Sequence, residues 1–541
     1  MTFKWLDPLY PLFSLIAIVY FLNIDGNAMW TTHEAYYAES VREMHESGEY
    51  FEFFFNYEPR FQKPPVTYWI MAASSAIFGI NEFGLRLPFV LMSLATIYLV
   101  FAIGNLLYNS KTGIYSMLIF SASLQFIWFK HYAAPEIPLT FFFTLAIFLF
   151  LLGSKTSNRT TLIFSYVAIG LAGLTKGFPY LLIFFLIIIV WRILKSDSNF
   201  LQIFRSDRLI EGVVISFIIG FSWLIYMVVN HGAGFTDVLI AETFGRVFNH
   251  PDDRSFLREI FYYPEVLAWG FYPFSLVFFA SLFLISNKKR IKDISFLLVW
   301  SLVFLSIFTF SDGKLPIYLL QAFPAFSIIC GYMLYSYYPM RRRNQIIFSS
   351  TFIIPAIISL AASLFLIYAF NLKIHWLILI SLCLSSILVL LLTYHQKLCK
   401  PVLINWLSAL ILYTISFIGV LPIIEKYRPY STLEVLFSKY EQGIPLYIER
   451  RFLDNMPYYS ARKVFGGLNW TQEKIFDQTG PKLVLLHGNY EAIEGEETLW
   501  RGLIHGYGAE DHFFKFIRDC HSLQHGDSSR FFTYTLMYKP N

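Results

Sequence analysis

Residues 30–65 read WTTHEAYYAESVREMHESGEYFEFFFNYEPRFQKPP, a polar stretch between two hydrophobic spans. In a chain where charge is otherwise scarce, this stretch contains His33, Glu34, Glu39, Arg42, Glu43, Arg60 and Lys63. Ionisable groups beside a bilayer cost free energy unless they are paired or used in function. We therefore predict that this stretch forms part of a reaction site.

The composition indicates a polytopic helical membrane protein. Of the 541 residues, 56% are hydrophobic and only 15% are charged, which is too apolar for a soluble multidomain protein. The net charge of +5 comes from short basic clusters between apolar spans. Such clusters are topology signals, so no nucleic-acid partner is expected. The four cysteines form neither a disulfide framework nor a CxxC metal site.

The hydrophobic runs predict an all-α membrane domain of about thirteen transmembrane helices. The predicted spans are residues 9–24, 88–108, 111–130, 138–153, 161–174, 178–194, 209–230, 264–286, 293–310, 315–338, 345–370, 373–394 and 401–424. The shorter run 66–80 contains Ser74 and Ser75 and directly follows Pro64 and Pro65. It is predicted to be an interfacial helix.

The basic clusters predict the orientation of the chain. With the N-terminus inside, and residues 9–22 kept as a first span rather than removed as a signal peptide, nearly every cluster falls on the cytoplasmic side. The transmembrane domain then covers residues 1–424, with an outer loop at 25–87 and a lid-like loop at 231–263. Residues 425–541 alternate short apolar runs with polar stretches, which predicts a small extracytoplasmic α/β domain.

Two acidic positions in the outer segments are candidate catalytic residues. His33 and Glu34 open a predicted helix and could act as a base, as an acceptor-positioning pair or as metal ligands. The alternative is helix capping and ion pairing of Glu34 with Arg42. Glu136, between prolines in AAPEIP, is either a turn residue or a second acid facing Glu34 across a cavity.

Several cations lie on the predicted outer side, where the charge rule does not explain them. Lys63, Lys176 and Lys314 are such residues, and a cation at a membrane interface suits the phosphate head of a lipid. The alternative for each single lysine is snorkelling to the interface. His250, Asp252 and Asp253 could bind a divalent ion, but their spacing is not diagnostic, so this site stays an open alternative.

Seven motifs in register carry a family resemblance. In chain order they are HEAYYAESVREM, RFQKPPVTYWI, FGLRLP, YAAPEIPLTF, LTKGF, ETFGRVF and GKLPIYLLQAFP. Across residues 9–330 the chain resembles the lipid A aminoarabinose transferases and related GT-C enzymes of the protein O-mannosyltransferase superfamily. The resemblance implies inverting transfer of a sugar from polyprenyl (undecaprenyl) phosphate to an envelope acceptor such as lipid A. It also implies the bacterial inner membrane, with the site and the C-terminal domain on the periplasmic side.

The resemblance also implies roles for individual residues. The donor phosphate would meet Lys63, Arg246 and Tyr318, and Tyr37, Glu34 and Glu136 would lie around the sugar and acceptor. Lys176 matches the lysine of the LTKGF motif near the cavity. His33, Glu34 or Glu136 would take the acceptor proton if the acceptor is a hydroxyl, whereas a phosphate acceptor would need no strong base.

Four positions depart from the family pattern. His33 replaces the usual aspartate, Gln62 replaces an acid, Glu136 replaces a second aspartate, and Thr243 replaces a histidine. A metal site using positions 62 and 243 is therefore not expected, and no metal ligand or cofactor is assigned. These departures leave open a weakened paralogue that binds a lipid-linked sugar without transferring it. Two further functions stay open, a protein O-glycosyltransferase and a lipid-linked sugar transporter or flippase, although the inverted repeats typical of transporters are not seen.

Overall fold

The computed structural model describes residues 9–30, 32–130, 132–195, 206–242, 256–285, 288–311, 313–337, 342–370, 372, 400–492, 495–505 and 513–540. These residues are mostly helical, which confirms the predicted class. The first helices are α1 (Leu9–Phe21), α2 (Thr32–Ser47), α3 (Val66–Phe78), α4 (Glu82–Leu107), α5 (Ser110–Ser121), α6 (Leu124–Phe129), α7 (Glu136–Thr156), α8 (Arg159–Lys176) and α9 (Pro179–Lys195). A short hairpin of β1 (Phe54–Phe55) and β2 (Glu58–Pro59) lies between α2 and α3.

The second half of the helical part continues in the same way. Its helices are α10 (Leu209–Ile240), α11 (Phe256–Gly270), α12 (Ser275–Leu284), α13 (Lys288–Asp293), α14 (Ser295–Thr309), α15 (Phe323–Tyr337, preceded by a 3₁₀ turn at Pro316–Ala322), α16 (Arg342–Ala369), α17 (Lys400–Ile415) and α18 (Leu421–Glu425). Ser416–Val420 form a π-helical turn between α17 and α18.

Asparagine side chains fix the beginnings of three helices. Asn81, Asn109 and Asn158 precede α4, α5 and α8, and each side chain accepts a hydrogen bond from a backbone N–H of the first turn. Such N-caps satisfy donors that have no partner inside the helix. Asn109 lies in the short turn between α4 and α5, and Asn158 lies in the short turn between α7 and α8. Each of these two pairs of helices forms a helical hairpin.

Six helices within the described ranges are long and apolar enough to span a membrane. The predicted total of thirteen spans stays a prediction, and span 373–394 lies outside the described residues. Helix α3 has 13 residues, about 20 Å of helix, which is short of the roughly 30 Å hydrocarbon core. Helix α1 has the same length in the described residues, so the assignment of α3 as an interfacial helix stays a prediction.

Two predicted spans are each two helices. Span 111–130 breaks between α5 and α6, where Ser123 adopts an extended conformation and its hydroxyl donates to the Ile119 carbonyl at 3.0 Å. Span 264–286 breaks between α11 and α12, with Pro273, which has no N–H to continue a helix, in the gap. Apolar composition alone does not show such breaks.

The C-terminal residues form a mixed five-stranded sheet. Its strands are β3 (Leu446–Glu449), β4 (Val464–Gly467), β5 (Lys482–His487), β6 (Glu497–His505) and β7 (Phe531–Lys539), in the order β4-β3-β5-β7-β6. Strand β3 pairs parallel with β4 and β5, whereas β7 pairs antiparallel with β5 and β6. The accompanying helices are α19 (Tyr430–Phe437), α20 (Met456–Ser460), α21 (Gln472–Phe476) and α22 (Phe513–Gln524). A boundary at residue 424 and an extracytoplasmic location stay predictions.

Candidate active site

Helix α2 brings polar side chains from the opening stretch into the protein. Glu34 and Tyr37 are buried, whereas His33 is exposed. Arg42 pairs with Glu39 of the same helix at 2.7 Å from Nε to Oε2. Arg42 thus forms its ion pair within α2. The alternative expectation, an ion pair between Arg42 and Glu34, is wrong.

Glu34 instead pairs with Arg86 of α4. The guanidinium contacts both carboxylate oxygens, at 2.8 Å to Oε1 and 3.0 Å to Oε2. The same oxygens accept hydrogen bonds from the backbone N–H groups of Ala133, at 3.1 Å, and Trp30, at 2.5 Å. A buried carboxylate held by four donors stabilises the junction of α2, α4 and the turn before α7. This geometry disfavours the predicted role of Glu34 as a proton acceptor.

Glu136 and Lys176 form an ion pair at one end of the α7–α8 hairpin. The ammonium group lies 2.9 Å from Oε1 of Glu136, and both side chains are largely buried. Lys176 Nζ also lies 5.4 Å from the centre of the Tyr318 ring. His33 and Tyr37 interact electrostatically with Glu136. Lys176 thus contacts the Glu136 carboxylate directly, His33 and Tyr37 interact with it electrostatically, and Tyr318 lies beside Lys176.

A second ion pair joins Lys63 to the end of α10. Its ammonium group lies 2.7 Å from Oε2 of Glu242. Tyr37 interacts electrostatically with Glu242 and with the guanidinium of Arg60, and Arg60 donates to the Tyr68 hydroxyl at 3.2 Å. Tyr37 therefore lies within electrostatic range of both ion pairs.

The Tyr37 hydroxyl is a buried donor in this cluster. Within the described part of the chain it has no hydrogen-bond partner. Burial, and then the neighbouring Tyr68, raise the pKa of Tyr37 well above its ordinary range, so that the phenol stays protonated. A protonated phenol within electrostatic range of two cation–carboxylate pairs can donate to a bound oxygen. The cluster offers cations for an anionic ester and carboxylate or imidazole groups for a proton.

The chain resembles known glycosyltransferases in sequence and in fold. Residues 62–226 match the family model of dolichyl-phosphate-mannose-protein mannosyltransferases. An uncharacterised protein of Aquifex aeolicus (strain VF5) is 31% identical over 455 residues, 83% of this chain and 86% of that protein. The undecaprenyl phosphate-alpha-4-amino-4-deoxy-L-arabinose arabinosyl transferase 1 of Proteus mirabilis (strain HI4320) is 26% identical over 335 residues, 61% of this chain and 59% of that protein.

A solved structure shares the whole architecture. The crystal structure of ArnT from Cupriavidus metallidurans bound to undecaprenyl phosphate superposes with a TM-score of 0.74 at 19% identity. The match covers 90% of this chain and 94% of that one. The chain belongs to the GT-C superfamily of membrane glycosyltransferases. The resemblance predicted from the seven motifs is confirmed.

The remaining predicted residues of this GT-C glycosyltransferase lie apart from the cluster or outside the described ranges. The Lys314 ammonium donates to the Ser311 carbonyl at 2.7 Å. This bond is local, and no contact of that ammonium with either ion pair is found in the described ranges. Gln62 is exposed beside Lys63. The positions outside the described residues are Arg246, Thr243, His250, Asp252 and Asp253.

No metal centre is seen in the part of this GT-C protein that the structure describes. There, no group of three or more His, Cys, Asp or Glu side chains could hold a metal ion. The candidate divalent-ion site at His250, Asp252 and Asp253 lies outside the described residues.

Arg86 is the site residue that sequence reasoning missed. It lies in FGLRLP, inside an apolar helix, and is 2% exposed. A buried arginine in such a helix needs a partner, because an unpaired charge there is costly. That signal could have indicated a distant carboxylate for Arg86, although not which one.

Proposed function

We propose that this protein transfers a sugar from undecaprenyl phosphate to an acceptor of the cell envelope, on the periplasmic side of a bacterial inner membrane. The observation that carries the proposal is the grouping of the pairs Lys63–Glu242 and Glu136–Lys176 around Tyr37. The names of the arabinosyl transferase relatives support an undecaprenyl phosphate donor. Lipid A is the proposed acceptor.

Lys63 serves the leaving group in this proposal. As the bond between the anomeric carbon and the phosphate oxygen breaks, the electron pair passes to the phosphate, which gains negative charge. Lys63, together with Arg246 and Tyr318 as the resemblance implies, stabilises that charge more in the transition state than in the ground state. Lys176 acts on the sugar side, where it keeps Glu136 ionised and oriented.

His33 and Glu136 are the proposed proton acceptors. The acceptor hydroxyl attacks the anomeric carbon from the face opposite to the phosphate, which gives inversion, and its proton passes to a base. Glu34 already binds Arg86, so the base is His33 oriented by Glu136, or Glu136 itself. An imidazole is a suitable base near neutral pH.

Binding of undecaprenyl phosphate tests the donor site. We expect Lys63→Ala in lipid nanodiscs to lose a hydrogen bond to a charged group, about 1.5–3 kcal/mol, which is about ten- to hundredfold weaker binding. Lys539→Ala is the matched control, because Lys539 also pairs with a glutamate, Glu496 at 3.4 Å, but in the C-terminal sheet. Equal affinity of wild type and Lys63→Ala would refute the assigned phosphate site.

Mass spectrometry of lipid A and of envelope glycans, with and without the protein, tests the reaction. We expect a sugar addition that the wild-type protein restores and that the double variant His33→Ala, Glu136→Gln does not restore.

The match to the protein mannosyltransferase model favours a second candidate, a protein hydroxyl as acceptor. Glycoproteomics of the same strains distinguishes the two acceptors. Movement of a lipid-linked sugar without any new glycosidic bond would instead indicate a flippase, and binding without turnover a weakened paralogue.

A further inference from the structure

Residues 27–30, the lead-in segment of helix α2, have backbone groups that are bonded by side chains from distant parts of the chain. Arg86 of α4 donates to the carbonyl oxygens of Asn27, at 2.7 Å, and Ala28, at 3.1 Å. The segment has no regular secondary structure of its own. Its buried polar groups therefore depend on these side chains.

The last residue of α18 and the chain just after it provide the second set of partners. Arg428 donates to the Ala28 carbonyl at 3.1 Å and to the Met29 carbonyl. Glu425 accepts from the N–H of Ala28 at 3.0 Å and pairs with Arg428 at 2.9 Å. The guanidinium of Arg428 also lies 4.7 Å from the centre of the Trp30 ring. One arginine thus bonds two successive carbonyls and contacts the next side chain.

Helix α20 of the C-terminal sheet region adds further contacts. The Tyr459 hydroxyl accepts from the N–H of Met29 at 2.6 Å and donates to Glu82 at 2.7 Å. Asn455, also beside α20, donates to the Met29 carbonyl at 3.2 Å. Met29 is therefore held from both its N–H and its carbonyl by residues more than 400 positions later.

We propose that Arg428 is a positioning residue for sugar transfer, and that the C-terminal region completes the active site by fixing the lead-in segment. The inference rests on the proposed function. Helix α2 begins two residues after Trp30 and carries His33 and Tyr37. Because a helix moves as a rigid element, a displacement at its start moves both side chains relative to Glu136. A misplacement of about 1 Å costs roughly a hundredfold in rate.

A rigid guanidinium suits this role better than an ammonium group. Its planar donors bond two carbonyls in fixed directions, whereas a lysine offers a point charge on a flexible stem. We therefore expect Arg428→Lys to keep the pairing with Glu425 but to position the lead-in segment less well. We expect the kcat of Arg428→Lys to lie between that of wild type and that of Arg428→Met.

Arg462 provides a matched control within the same region. It is as buried as Arg428, at 1% exposure against 2%, and it too donates to backbone carbonyls, those of Ser460 at 2.9 Å and Phe437 at 2.8 Å. These carbonyls belong to the C-terminal region itself. Arg462 donates to five backbone carbonyls in all, so Arg462→Met removes at least as many hydrogen bonds as Arg428→Met, but none of them is made directly to the lead-in segment.

The experiment compares full-length Arg428→Met, Arg428→Lys and Arg462→Met in nanodiscs at matched folded fraction. Turnover is measured with undecaprenyl phosphate-4-amino-4-deoxy-L-arabinose and lipid A, and amide hydrogen exchange is followed in peptides covering residues 27–37. For Arg428→Met we expect kcat to fall about a hundredfold while KM for the donor stays within about twofold, since Lys63 lies on another segment. We also expect faster exchange at residues 27–37, and neither change in Arg462→Met.

The outcomes separate this inference from the proposed function. Wild type that turns over neither this pair nor protein acceptors refutes the proposed function, while exchange at residues 27–37 still decides whether Arg428 fixes the segment. Wild-type kcat in Arg428→Met, or unchanged exchange there, refutes the positioning role. Equal losses in Arg428→Met and Arg462→Met would show a general structural effect and would also overturn it.

Discussion

Glu43 is an acid whose proton depends on its burial in α2. It is 3% exposed and lies beside Glu39 and Arg42. Burial, and then the negative charge of Glu39, raise the pKa of Glu43 from 4.5 to about 8. The folded protein therefore keeps a proton on Glu43 in a pH range where the unfolded chain has lost it.

This difference predicts a pH dependence of stability. Between pH 4.5 and about 8 the folded state binds more protons at Glu43 than the unfolded state, so stability falls as pH rises through that window. We expect Glu43→Gln to flatten this part of the profile, measured as the thermal unfolding midpoint in mild detergent. Glu46→Gln, an exposed acid one turn later, should keep the wild-type slope. A Glu43→Gln profile that matches wild type would contradict the assignment.

At the residue scale, the motifs single out His33, Tyr37, Lys63, Glu136 and Lys176 as candidates, and their roles stay predictions. In the structure Lys63 pairs with Glu242 and Lys176 pairs with Glu136, and Tyr37 interacts electrostatically with both carboxylates. The partner of Glu34 could not be predicted, because Arg86 lies 52 residues away on another helix. Spacing along one helix predicts i+3 and i+4 pairs, but not pairs formed by packing.

Small residues allow α5 and α15 to pack closely. A Cβ atom at Gly331 of α15 would lie 2.8 Å from the Thr112 carbonyl oxygen of α5, and it would also meet Ser116. The Thr112 carbonyl oxygen and the Ser116 nitrogen, at 3.0 Å from this Cβ, are backbone atoms, so they cannot rotate away. Close approach of backbones at small residues is a common basis of helix association in membranes.

This packing predicts a large effect from one methyl group. We expect Gly331→Ala to lower stability by about 1–3 kcal/mol through overpacking, measured by thermal unfolding in detergent. Gly234→Ala is the control: it is also in a helix, α10, but nothing lies within 4 Å of its added Cβ. There, the higher helix propensity of alanine should leave stability equal or slightly higher. Equal midpoints for the two variants would refute the tight contact.

At the element scale, hydropathy predicts helices well and their interruptions poorly. Residues 111–130 form one apolar run, yet the run is divided at Ser123 because its hydroxyl replaces a backbone hydrogen bond. The assignment of α3 as an interfacial helix, from its length, its serines and the preceding prolines, stays a prediction. The five-stranded sheet order could not be predicted, because alternating apolar runs indicate strands but not their neighbours.

The orientation of the whole molecule can be tested at two exposed positions. The basic clusters predict that Lys111 faces the cytoplasm and that residues 425–541 lie outside it. We expect a membrane-impermeant maleimide to label Ser438→Cys in intact spheroplasts, and Lys111→Cys only after permeabilisation. Both positions are exposed, and Cys330 and Cys520 are buried, so wild type gives the background. The reverse labelling pattern would contradict the predicted topology.

At the scale of the whole molecule, the sequence indicated two parts but not how they are joined. A composition change near residue 424 predicts a boundary, which stays a prediction, and the five-stranded sheet lies after that position. The contacts across it were not predictable: the Asn56 side chain donates to the Val464 carbonyl at 3.0 Å, and Lys463 pairs with Glu58 at 2.8 Å. Residues from opposite ends of the sequence contact each other only once the chain has folded.

The order of these contacts has a consequence for biosynthesis. The Ala28 carbonyl receives its bond from Arg86 58 residues later and its bond from Arg428 400 residues later. At about 5–20 residues per second, roughly 20–80 s of translation separate Ala28 from Arg428. During that interval Arg86 has been synthesised and Arg428 has not, so of these two arginines only Arg86 can bond the lead-in segment. A ribosome that stops before Arg428 releases a chain whose lead-in segment lacks the two Arg428 hydrogen bonds, and by our proposal its site is incomplete.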